Sequence, residues 1–179
     1  IGNGGSLRGT SALNLNTGGN FRISRAADNV VSFTNLTTFT PVNFQTAGGT
    51  LSFANSLTGN KQRFGILNFI ATGTIDFGTG NSNTLLITNL NGSSNGVTVA
   101  NWTGSIYAVS ATADSNDATQ DRLLFALDPL FGNARLGNQF RFTNDAGVYI
   151  GRGLQIAGPL STFEVVPVSD DAAFWNGDR

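Results

Sequence analysis

Short runs of alternating apolar and polar residues recur along the chain, most of them behind a glycine. In GGNFRI (18–23), Phe21 and Ile23 fall on one side and Arg22 on the other. In GGTLSF (48–53), Leu51 and Phe53 alternate with Thr50 and Ser52. In GTIDFG (73–78), Ile75 and Phe77 alternate with Thr74 and Asp76. Successive side chains of a strand point to opposite faces, so a period of two suits a strand with one buried face. The same criterion predicts strands over 29–33, 38–44, 64–70, 84–90, 96–102, 106–110, 122–126, 139–143, 148–156 and Phe163–Val168. The 64–70 run is apolar nearly throughout and is expected to be buried on both faces. Gly, Asn, Ser and Asp fill the gaps, as tight turns require. One helical turn is expected over 133–140, with Asn133 as its cap and Gly137 weakening it by about 1 kcal/mol.

The pattern predicts an all-β protein. The glycine-led restarts recur at roughly 25–30 residues, within the range of stacked repeats, and favour a parallel β-helix or β-solenoid. A β-sandwich or jelly roll is the alternative, since it also gives short alternating strands with frequent turns. A single domain is expected over 1–168, with 169–179 as a tail or a linker to a following module. The chain opens on Ile1 and reads as a processed or excised piece of a longer product.

Composition narrows the functions. Ten basic and 11 acidic residues give a net charge of -1, with no basic stripe of the kind a nucleic-acid binder presents. No apolar run approaches the ~20 residues of a membrane-spanning helix, so no membrane insertion is expected. The chain has 0 His and 0 Cys, so it cannot build Ser-His-Asp or Cys-His catalysis or a zinc-thiolate site. Lys61, the only lysine, lies in a polar turn and reads as solvated rather than catalytic. Glu164 and Asp76 are the carboxylates considered for a glycosidase pair, which needs a separation near 5 or 6.5–9.5 Å. An outward Asp at a strand end is more simply a solvated group. Asp114, Asp117 and Asp121 form the densest acidic cluster and could offer oxygen ligands to Ca²⁺. The glycine and closing glutamate of an EF-hand loop are missing there, so a solvated loop is the reading and no cofactor is expected. Threonine-rich stretches such as 37–40 suggest a flat hydroxyl face, but no recurrence in register is evident in the sequence. Trp102 and Trp175 stand apart from the 14 Phe, which fit a core.

From Gly48 onward, the segments GTIDFG, NWTG (101–104), DRLLF (121–125) and EVVP (164–167) follow in order. In that order and spacing the chain resembles the C-terminal part of bacterial proteins with autotransporter-associated β-strand repeats. These are large secreted or surface proteins that often end in a PEP-type sorting signal. The resemblance covers roughly the final three-quarters of the chain. It implies an extracellular or cell-surface location and a parallel β-helix, and it brings no catalytic residues with it. Where the sorting signal would continue with a Pro-Glu-Pro motif, an apolar helix and a basic tail, this chain reads SDDAAFWNG, like the opening of another repeat module.

These readings converge on a non-catalytic structural or adhesive protein that self-associates into a homopolymeric surface fibre. A carbohydrate-binding module is the alternative. Val165, Val166, Val168, Phe174 and Trp175 are the expected assembly contacts, as an extended apolar segment that adds to a neighbour's sheet edge. Polysaccharide or another cell surface is a further possible contact.

Overall fold

The computed structural model describes residues 11–24, 39–91, 96–108, 110–112, 119–129 and 136–169. Twelve strands form one sheet, in the order β1-β3-β5-β7-β9-β12-β11-β10-β8-β6-β4-β2. The odd strands β1 (Leu13–Leu15), β3 (Val42–Phe44), β5 (Lys61–Phe69), β7 (Thr84–Asn91) and β9 (Arg122–Phe125) pair in parallel. So do the even strands β2 (Asn20–Ile23), β4 (Gly49–Phe53), β6 (Gly73–Asp76) and β8 (Val97–Ala100), with β10 (Leu136–Thr143) beside β8. The chain thus passes back and forth between two parallel ribbons. β11 (Tyr149–Ala157) and β12 (Phe163–Val168) pair antiparallel with each other, and link β10 to β9. The sheet is therefore nearly closed and barrel-like, with β1 and β2 at its edges.

The alternation read in the sequence is the reason for this arrangement. Leu51, Ile75, Val99 and Phe142 occupy one register position of the even ribbon, and all are buried. Leu15, Phe44 and Phe69 do the same in the odd ribbon. Aromatic rings then stack along the interior: Phe53 on Phe77 at 5.6 Å, Phe77 against Trp102 at 5.5 Å, and Trp102 against Phe142 at 5.0 Å. Such pairs add about 0.5–1.5 kcal/mol each beyond area burial. Trp102 is therefore a core residue.

Several expectations change. Of the helical turn expected over 133–140, Asn133 and the two residues after it lie outside the described residues, and strand β10 takes the rest from Leu136 onward. There the partners β8 and β11 supply backbone hydrogen bonds on both sides, which outweighs weak local propensity. Among its described residues, the 106–110 run holds only an isolated bridge, Tyr107 to Val168. In 64–70, Ile66 and Ile70 are 39% and 53% exposed, so burial on both faces does not extend along the whole run. Phe64 and Leu67 both face the core, as do Ile87 and Leu90 in register with them, so both strands switch inward parity at the same level. The 29–33 run lies outside the described residues.

Candidate functional site

The outward positions of the two ribbons form regular rows. On the odd ribbon, Asn14, Asn43, Asn68 and Asn91 share one register position. The Asn43 amide donates to Asn14 Oδ1 at 2.7 Å, and the Asn68 amide donates to Asn43 Oδ1 at 2.5 Å. On the even ribbon, Asn20, Thr50, Thr74, Thr98 and Arg141 form the matching row. Parallel strands repeat at about 4.8 Å, so each ribbon offers one polar group per strand at that spacing.

A third polar row is buried. Asn60, Asn83 and Asp121 directly precede β5, β7 and β9, and all three are buried. Asn60 N–H donates to Asn83 Oδ1 at 3.1 Å, and Asn83 N–H donates to Asp121 Oδ1 at 2.9 Å. The Asn83 amide donates to the carbonyls of Leu57 and Phe77 at 3.0 and 3.1 Å. Asp121 Oδ2 accepts from Thr103 N–H at 3.2 Å and from Thr103 Oγ1 at 2.7 Å. Burial pushes the Asp121 carboxyl up from 3.8 to about 6, against the lowering effect of these hydrogen bonds.

The expected contact residues fall elsewhere than a docking strand requires. Val165, Val166 and Val168 are each 0% exposed, and β12 has β11 on one edge and β9 on the other. β9 meets β12 at Phe163 and Glu164, and Tyr107 bridges to Val168, while the side chains of the three valines lie in the core. Phe174 and Trp175 lie outside the described residues, as do Asp114 and Asp117. Asp121 is fully buried, and both its oxygens accept hydrogen bonds from within the chain. The neighbouring Arg122 places its Nη1 3.3 Å from Glu164 Oε2. Glu164 is buried in β12, four places from β6 and Asp76 in the strand order. Asp76 Oδ1 instead caps a turn, accepting from Gly78 N–H at 2.8 Å and the Asn101 amide at 2.7 Å. The structure does not bring the two carboxylates together. Lys61 is exposed at the start of β5. No group of three or more potential metal ligands occurs among the described residues.

Reading period two along single strands misses all three rows. Their signal lies between strands: Thr50, Thr74 and Thr98 are each 24 residues apart, and a lone Asn or Asp precedes three strands. No family model, curated protein or solved structure matches this chain.

Proposed function

We propose that the chain is a non-catalytic structural module: a two-ribbon parallel β-solenoid, closed at its C-terminal end by β11 and β12. In this reading it belongs to a bacterial extracellular or cell-surface protein of the autotransporter-associated repeat kind, and copies associate into a fibre. The supporting observation is the in-register repetition of polar and apolar rows through both ribbons. Such stacking builds a stiff body whose strength comes from neighbour-on-neighbour contact. Because β12 is an interior strand, strand addition by a neighbour is directed to β1 or β2, the edges of the sheet.

Electron microscopy of purified native material, with mass measurement in solution, tests this. Regular filaments are expected. A monodisperse monomer at high concentration overturns the fibre. A carbohydrate-binding role is the second reading, favoured by the Thr50–Thr74–Thr98 row. Its evenly spaced hydroxyls suit a linear polysaccharide lying along the ribbon, and binding by the monomer would then appear in a glycan screen.

A further inference from the structure

We propose that the outer face of the odd ribbon is a pairing surface, on which a second copy of this chain packs side by side across the asparagine row. The inference rests on the reading of the chain as a self-associating module. It concerns a different surface from the β1 and β2 edges, where a strand would add end to end.

The centre of the face is the row Asn14, Asn43, Asn68 and Asn91. In β5 the exposed Ile66 and Ile70 stand two residues to either side of Asn68, with the buried Leu67 and Phe69 between them. Alternation puts Ile66, Asn68 and Ile70 together on the outward side. Their order, Ile-Asn-Ile, is the same in both directions along the strand. A two-fold axis running along the ribbon through the asparagine row therefore sets amides against amides, and Ile66 against Ile70 of the second copy. Such a contact is isologous, the commonest way for identical chains to pair.

The amides suit the same arrangement. A side-chain amide has two N–H donors and an oxygen with two lone pairs. The bonds from Asn43 to Asn14 and from Asn68 to Asn43 use one donor and one lone pair of Asn43. A row that offers both donors and acceptors is matched by an identical row, as in stacked Asn ladders. Those same bonds hold the amides in place beforehand, which lowers the ordering cost of association. Charge does not oppose the contact. The positions flanking the row are Pro41 and Gln45 around Asn43, and Ile66 and Ile70 around Asn68, and none is charged. Gln45 itself reaches Asn14 Oδ1 at 3.3 Å. The even ribbon differs, with Asp76 and Arg141 among its outward positions.

Four strands span only about 14 Å at the usual spacing. That is short of what a tight dimer buries, so pairing should depend on concentration.

Sedimentation of the whole chain over a concentration series tests this. The wild type should pass reversibly from monomer to dimer. Ile70→Lys should raise the dissociation constant at least about tenfold, because the two-fold axis brings the new charge into both halves of the contact. Ile106→Lys alters a residue just as exposed, 52% against 53%, but outside the odd ribbon, and should pair like the wild type. Thermal melts of both variants check that they fold. A monomeric wild type, an undisturbed Ile70→Lys dimer or equal weakening by the two lysines overturns the proposal. Raising salt from about 0.01 M to about 1 M should leave the wild-type dimer intact, since screening acts on charges. Dissociation by salt overturns it as well. Dimers that never lengthen into filaments would support the pairing face while removing the fibre. Filaments of single width that Ile70→Lys leaves unchanged would support the fibre and overturn the pairing face.

Discussion

Gly48 and Gly73 both introduce an even strand, yet they are glycine for different reasons. Gly48 has φ +88, a left-handed conformation, and a Cβ there would meet nothing nearer than Gly18 N at 4.0 Å. Gly73 has room for no side chain at all, because a Cβ would lie 2.1 Å from Phe44 Cδ1, and Phe44 is 0% exposed in the core. Gly48→Ala should therefore cost about 1 kcal/mol, the price of a left-handed alanine. Gly73→Ala should cost about 3 kcal/mol, because an overpacked core must move a buried ring. Chemical denaturation of the two variants checks the order. Equal losses would mean that Phe44 turns aside easily and that backbone conformation alone selects these glycines. The residue scale thus answers why the chain restarts behind glycine: one glycine turns the corner, and the next lets the opposite ribbon's aromatic ring reach the interior.

Among the described residues, the connection between β11 and β12 is the one place where two consecutive non-glycine residues take a left-handed backbone. Leu160 and Ser161 sit consecutively in the left-handed region, at φ 53 and 61. The turn is closed by Thr162, whose N–H and Oγ1 donate to Pro159 O at 3.1 and 2.7 Å, and Leu160 is 76% exposed. With so little burial to lose, Leu160→Gly should stabilise the protein by roughly 0.5–1 kcal/mol, the relief of the left-handed Cβ less the added freedom of the unfolded chain. A thermal melt reads this directly, and a lowered midpoint would show that the leucine side chain holds the turn down. Nothing in the sequence marks this turn as strained, since Gly-Pro-Leu-Ser reads as an ordinary break. Strands were more legible. Phe163–Val168 matches its predicted bounds, and 84–90 and 122–126 fall within a residue of β7 and β9. β1 went unread because three residues of Leu-Asn-Leu are too short a run to show a period. The outer and buried rows went unread for another reason: they depend on register between strands, which alternation within one strand does not specify. The burial of Val165, Val166 and Val168 was equally illegible, because an extended apolar run looks the same in sequence whether it docks on another chain or closes its own sheet.

For the whole molecule, the decisive asymmetry is between its two ends. At the C-terminal end β10, β11, β12 and β9 are tied together by antiparallel pairing, so the two ribbons share hydrogen bonds there. At the other end β1 and β2 are, among the described residues, each paired on one side only, to β3 and β4. In a stacked body, stability is passed from neighbour to neighbour and opening begins where a neighbour is missing. Backbone amides of β1 and β2 should then exchange fastest with solvent, those of β3 and β4 next, and those of β5 and β7 slowest. Native-state hydrogen exchange resolved by strand measures this gradient. A closed barrel would behave otherwise, opening as one cooperative unit with nearly uniform protection around the sheet. A graded profile would favour the solenoid reading, and with it β1 and β2 as the place where a further strand could add. A flat profile would set both aside, because a sheet that opens all at once has no sticky end from which a fibre could grow.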